Sequence, residues 1–304
     1  MPKQAKPRNM QFTPRDRAIL EAVYIHDGLL SEQQIQRLFF TGVNIRTVRE
    51  RLMLLVQHGY LARPDIKQRA QLDEPVYWLE RRGAQYVADL QNVQLSELNW
   101  RRPGMRFRET EHDLKINDFR LAVTEAIAVE PELELGEWIP SRVFWSRTDR
   151  IEFAYQVQVG NEEQTRKETR GVRPDGYFSI TQPGFKPSRF LVEIDMGTED
   201  HPRFAREKLH SGLAYIQSPA YKQRFGHNAG RWLVVTTTPR RRQNMQDVAQ
   251  RELGDKAVAY FFTTLAAVSA ETVLRGEIWY QGAATKPTAL AAFLELPRRS
   301  AKRS

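Results

Sequence analysis

Near the N-terminus the apolar positions recur at helical spacing in three short blocks, each opened and closed by a capping residue. Thr13-Pro14-Arg15-Asp16 has the form of a helix start, with Thr13 as N-cap, Pro14 at the first helical position and Asp16 three residues on. Ile19, Leu20 and Val23 then share a face, and Gly28 ends the block. Ser31-Glu32-Gln33-Gln34 is a second capping box ahead of Ile35, Leu38 and Phe39, and Gly42 breaks that helix. A third helix is predicted from about residue 44 to 58 on the stripe Val48, Leu52, Leu55 and Val56, with Gly59 as its stop.

Beyond it the period changes. Residues 60–63 read as a short strand, 64–74 as a polar loop carrying Lys67 and Arg69, and 75–79 (PVYWL) as the returning strand, closed by a helix near 84–90. Three helices with a tight turn between the second and third, followed by a β-hairpin, predict a winged helix-turn-helix over residues 13–96, behind a basic tail at 1–12. In such a domain the third helix enters the major groove. Its solvent side holds Arg46, Arg49, Glu50, Met53 and Gln57. Candidate DNA contacts are therefore Arg46, Thr47, Arg49, Arg51 and Met53, with Lys67 and Arg69 in the wing.

Residues 97–108 (ELNWRRPGMRFR) lose all period and read as a basic linker, whose Arg101 and Arg102 are further candidates for phosphate contact. After it, over residues 109–290, the order becomes that of an α+β or α/β domain with a mixed sheet. A helix is predicted over about 111–129, and strands over about 135–145, 150–159, 172–180 and 189–195. A helix over 202–217, a fully apolar strand at 232–236, a helix near 241–252 and a strand near 257–263 follow. Residues 291–304 form a basic tail.

Composition narrows the partners. The 304 residues are 41% hydrophobic and 27% charged with a formal net charge of +9, which favours a polyanion, and nucleic acid above others. No cysteine occurs, which excludes disulfides and thiolate metal sites and fits a reducing cytoplasm. The charged N-terminus is not a signal peptide, and no apolar run is long enough to span a membrane. No Gly-x-x-x-x-Gly-Lys occurs, so a P-loop ATPase is excluded, and the scattered histidines argue against a zinc site. Nor do any of them stand one residue apart, as a histidine-dependent relaxase would need.

The candidate chemistry lies in the back domain. Pro174-Asp175 falls on one predicted strand, and Glu193-Ile194-Asp195 ends the next. Residues i and i+2 of a strand face the same side, so Glu193 and Asp195 project together, and a hairpin would bring Asp175 alongside. Three carboxylates at one sheet edge call for a cation, so Asp175, Glu193 and Asp195 are candidate ligands of Mg²⁺ or Mn²⁺. Such an ion polarises a phosphate and activates water for phosphodiester cleavage. Lys208, on the following helix, is placed to orient that water or to stabilise developing charge, and Tyr215 shares its predicted helical face.

The stretch from RPDGYF through FLVEIDMGTE to the REKL…Y helix, with the winged helix before it, resembles the replication-relaxation family of plasmids and other mobile elements. The resemblance covers roughly residues 13–265. It implies a back domain like that of PD-(D/E)xK restriction endonucleases and an activity like that of conjugative relaxases, nicking at an origin of transfer or replication. By that similarity Asp175 and Glu193 bind the metal, and Glu111 or His112 is the additional polar group on the opening helix. One departure stands out: Asp195 occupies the place of the motif lysine, leaving Lys208 as its substitute. The implied partners are double-stranded DNA, single-stranded DNA after nicking, and a second copy or relaxosome-type accessory proteins. The competing expectation is a replication or transcription regulator that binds DNA through a catalytically silent nuclease fold.

Overall fold

The two predicted N-terminal capping boxes, at Thr13 and Ser31, both form, while the chain leaves the first two helices at His26 and Phe40, two residues ahead of Gly28 and Gly42. In the computed structural model, which describes residues 9–98, 100, 107–160, 162–197 and 201–294, Thr13 and Asp16 cap α1 (Pro14–Ile25) reciprocally. A three-residue strand β1 (Leu29–Ser31) comes next, and Ser31 and Gln34 cap α2 (Glu32–Phe39) in the same way. Gly42, at φ +74°, turns the chain into α3 (Ile45–Gln57), whose first turn is capped by the Asn44 side chain. Strand β2 (Leu61–Ala62), a single turn α4 (Ile66–Arg69), β3 (Val76–Leu79) and α5 (Arg81–Leu90) complete the series. The strands form an antiparallel sheet in the order β1-β3-β2.

Two further differences from expectation appear here. β1 is too short to show alternation, and it exists because Leu29 and Leu30 pair with Trp78 and Tyr77. The polar loop contains α4 because Asp65 and Gln68 make a third capping box. The core joins Ile19, Leu20 and Val23 to Ile35, Val48, Leu52, Leu55, Leu61, Tyr77 and Val87, all essentially removed from water. Burying side chains of this size contributes about 1.5–3 kcal/mol each.

The chain divides into two compact units, residues 1–118 and 119–304, with the boundary inside α6 (Phe107–Ala128). The second unit opens with β4 (Glu134–Leu135), β5 (Ile139–Pro140) and a short helix α7 (Ser141–Ser146). One continuous strand over 135–145 is therefore not what forms: β4 and β5 each contribute two residues beside the same neighbour, and α7 buries Phe144 completely. Next comes a ribbon of β6 (Asp149–Val159) and β7 (Glu162–Val172), paired along all eleven residues of each. β7 (EEQTRKETRGV) has no apolar alternation to announce it, and it is a strand because β6 offers it a ladder.

The main sheet runs β12-β11-β10-β9-β8-β4, with β5 also on β8. β8 (Gly176–Thr181) and β9 (Ser188–Asp195) form an antiparallel hairpin, and β10 (Arg231–Thr236) and β11 (Tyr260–Thr264) continue it in parallel with β9. β12 (Tyr280–Gln281) closes the edge. Between β9 and β10 lie α8 (His201–Phe204), a π-helical segment Ala205–His210, α9 (Ser211–Ile216) and α10 (Pro219–Phe225). α11 (Pro239–Leu253) links β10 to β11. Strands β9, β10 and β11 are buried nearly throughout, as a parallel sheet covered by helices requires. The architecture is thus mixed α+β. No described helix is long and apolar enough to cross a membrane.

Candidate functional site

The β8–β9 hairpin sets the first two carboxylates. Its register matches Gly176 with Val192, so Asp175, the residue before β8, stands across from Glu193. Two hydrogen bonds lock it there: the Asp175 amide donates to the Val192 carbonyl at 2.9 Å, and the Ile194 amide donates to Asp175 Oδ2 at 2.7 Å. Asp175 thus grips the residues on either side of Glu193. Pro174 before it has no amide to offer a ladder, so the strand begins only at Gly176. Gly176 leaves room for the Trp138 ring, which a Cβ there would meet at 3.0 Å and push aside by a few tenths of an ångström.

Lys208 reaches this edge through an irregularity that spacing does not reveal. The segment Ala205–His210 is π-helical, and Lys208 Nζ lies 2.6 Å from Glu193 Oε1. Glu193 is buried to 7% exposure, so the ammonium stands against a carboxylate with little access to water. Widened turns of this kind recur at functional sites because they shift the phase of a helix by part of a turn. Lys208 and Tyr215 have different partners. The Tyr215 ring is fully buried, and its hydroxyl donates to Asp149 Oδ2 at 2.6 Å, where Arg224 also binds. Burial first, and then the hydrogen bond to Asp149, push the Tyr215 hydroxyl far above its ordinary pKa.

Asp195 has a different fate from the one its strand position predicts. It shares the face of Glu193, but Arg241 at the start of α11 binds both its oxygens, at 2.5 and 2.7 Å, and the Thr236 hydroxyl donates to it at 2.5 Å. A carboxylate held by a guanidinium fork is neutralised without a metal. Among the described residues no group of three or more His, Cys, Asp and Glu side chains is arranged to hold a metal ion. The expected three-carboxylate cluster therefore reduces to Asp175 and Glu193 beside Lys208. Asp175 and Glu193 are the residues that could hold a divalent cation, since Mg²⁺ is commonly held by one or two carboxylates with water and phosphate oxygens filling the rest.

In the first unit, Arg46 is 85% exposed and pairs with Glu50 one turn on at 3.2 Å. Thr47 is exposed, and Met53 is half-buried on the same helix. Arg49 forks onto the buried Glu32 at 2.6 and 3.1 Å while keeping 53% of its side chain in solvent, so its guanidinium is presented in a fixed pose. Tyr77 donates to the same carboxylate at 3.3 Å, and burial, then Glu32, raise its hydroxyl pKa to about 12. Arg51 does not belong to this face: it binds the fully buried Asp16 with two nitrogens and the Gln11 carbonyl at 2.7 Å. Lys67 is exposed on α4, and Arg69 is half-buried there.

The remaining candidates fall elsewhere. Glu111 and His112 lie on the part of α6 that belongs to the first unit, where Glu111 lines a pocket with Leu72, Glu74, Leu114 and Lys115. They are thus assigned to a different unit from Asp175 and Glu193. Arg101 and Arg102 are outside the described residues. Arg241 and the π-helical turn are what sequence reasoning missed. Only the run of arginines after Thr238-Pro239 hinted at the first, and nothing in REKLH hinted at the second.

A helical unit with a three-stranded sheet, joined to a mixed-sheet unit that carries a carboxylate pair and a lysine, defines the class. The Replication-relaxation profile matches residues 20–228, and the chain belongs to that family. Membership points to a role in replication or in the processing of mobile-element DNA. The match ends before β10, so Arg241 lies beyond it. No curated protein matches the chain.

Proposed function

We propose that the protein is a metal-dependent DNA-nicking enzyme of a mobile element, with a DNA-binding winged helix in the first unit and a PD-(D/E)xK-like site in the second. The observation that carries the reading is the Lys208–Glu193 pair beside Asp175. A lysine beside two acidic groups is the set that motif requires, here delivered from a helix rather than from strand position 195. Mg²⁺ or Mn²⁺ bound there would polarise the scissile phosphate and lower the pKa of a bound water. Asp175 and Glu193 would hold the cation. Lys208 stabilises charge developing on the phosphate and orients the water. Arg46, Thr47, Arg49 and Met53 read duplex DNA in the major groove, and Lys67 and Arg69 follow the backbone from the wing.

The test is supercoiled plasmid bearing the element's own origin, incubated with protein and Mg²⁺ or Mn²⁺. Nicking is expected, and Asp175→Ala, Glu193→Ala and Lys208→Ala should each reduce it at least about a hundredfold. The second reading, a regulator that binds DNA without cutting it, is favoured by the Arg241–Asp195 pair, which occupies the strand position of the motif lysine. Tight origin binding without cleavage under either metal would decide for it.

A further inference from the structure

Of the six tryptophans, Trp145 alone among those described is exposed. It leaves 64% of its surface in solvent, whereas Trp78, Trp138, Trp232 and Trp279 are buried and Trp100 is half-buried. An indole is a large apolar body that normally contributes to a core or an interface. Trp145 instead sits near the end of α7, beside the completely buried Phe144 that anchors that helix.

The guanidinium of Arg173 lies over the Trp145 ring, 4.2 Å from its centroid. Arg173 is itself exposed, yet it is not loose. Its Nε donates to Thr148 Oγ1 at 2.9 Å, and that hydroxyl donates in turn to the Phe144 carbonyl at 2.8 Å. The two planar groups are therefore held at the surface by a short chain of hydrogen bonds rooted in the core. In the other guanidinium–ring pairs described, on Phe40, Tyr60, Trp138, Phe144, Tyr280 and Phe293, the ring is buried or half-buried. Among the described pairs, this ring is the one classed as exposed.

Position gives the platform its meaning. Arg173 precedes Asp175 by two residues, about 7 Å of backbone at most. α7 begins directly after Pro140, which pairs with Gly176. Arg147 and Arg150 are exposed on the same stretch, while its acidic group Asp149 is neutralised by Arg224. Glu152, further along β6, is the exposed acid nearest in sequence.

We propose that Trp145 and Arg173 form a stacking platform for an unpaired base of single-stranded DNA, next to the Asp175 edge. The need for a single strand there rests on the nicking reading, but the platform can be tested without cleavage. A base stacks on the indole, and the surrounding arginines attract its phosphates. The flat ring and its cation suit any base, so the contact carries little sequence preference.

The experiment titrates the full chain with an oligothymidylate of about ten nucleotides and with an abasic strand of equal length and charge, reading tryptophan emission and affinity. The oligothymidylate should quench, the abasic strand should quench far less, and Trp145→Phe should change the quenching signal because Trp145 is the exposed indole among those described. Trp145→Ala should weaken single-strand binding at least about fivefold and Arg173→Gln should weaken it to a smaller extent, while duplex binding is unchanged. Both substitutions are at exposed positions, and circular dichroism checks that folding is retained. Equal affinity for the abasic and base-bearing strands, or no effect of Trp145→Ala, overturns the proposal. Quenching without Mg²⁺-dependent nicking upholds the platform and removes the nicking reading; nicking without quenching does the reverse.

Discussion

Arg51→Ala tests whether Arg51 serves the fold rather than contact with DNA. Arg51 binds Asp16, whose side chain has 0% exposure, through Nε at 2.7 Å and a second, shorter contact, and it also ties down the Gln11 carbonyl at 2.7 Å. Removing one partner of a buried ion pair leaves an uncompensated charge and costs about 3–5 kcal/mol. Arg51 retains 22% exposure, and Thr13 still donates its amide and hydroxyl to Asp16 at 2.7 Å each, so the lower end applies, about 3 kcal/mol. For a domain of this size that lowers the melting temperature by roughly 10–15 °C. The pH dependence follows with a definite sign. Burial works to raise the Asp16 pKa, but the Arg51 and Thr13 hydrogen bonds outweigh it and hold the group below 3.8. Its contribution is therefore complete above the ordinary aspartate range and is lost as pH falls through the folded value. Thermal or urea unfolding between pH 2 and 7 reads both effects (a pH range on the order of the one over which carboxylates titrate). Asp16→Asn added to Arg51→Ala should recover part of the loss by removing the stranded charge. A loss below about 1 kcal/mol would refute the structural role. So would a fall in DNA affinity of the folded variant larger than that of Arg46→Ala.

Tyr215→Phe removes a buried hydroxyl from the Asp149–Arg224 cluster and should cost about 1.5–3 kcal/mol of stability, measured by denaturant unfolding. It should leave nicking within a factor of about two; a complete loss in a folded variant would make the tyrosine a participant. Arg46→Ala and Arg49→Ala should each weaken duplex binding and reduce the slope of log affinity against log salt by about one for every phosphate left without its arginine, as fluorescence anisotropy would show. Arg49→Ala should also cost stability by stranding the buried Glu32, an effect that Arg46→Ala should lack because its Glu50 partner is in solvent.

Local chemistry determined much of this protein directly. Thr13 and Ser31 set helix starts with groups only a few residues away, and the stripe of α3 announced its own buried face. The same holds for β9: an apolar run ending in Glu193 and Asp195 is enough to say that two carboxylates share one side of a strand. Charged β7 was not legible, because its conformation depends on a ladder with β6 rather than on any preference of its own residues. α4 was missed although its capping box stands in the sequence, since one helical turn has too few apolar positions to show a period.

What tertiary structure alone decided is which charges meet. Arg51 looked like a groove contact until Asp16, 35 residues earlier, was found beneath it. Asp195 looked like a ligand until Arg241, 46 residues later, closed on both its oxygens. Lys208 meets Glu193 from a π-helical turn that nothing in its own sequence announces. Caps and stripes act over one or two turns and can be read along the chain. Charge partners are selected by burial, where an unpaired ion is costly and any opposite charge the fold brings near will be taken.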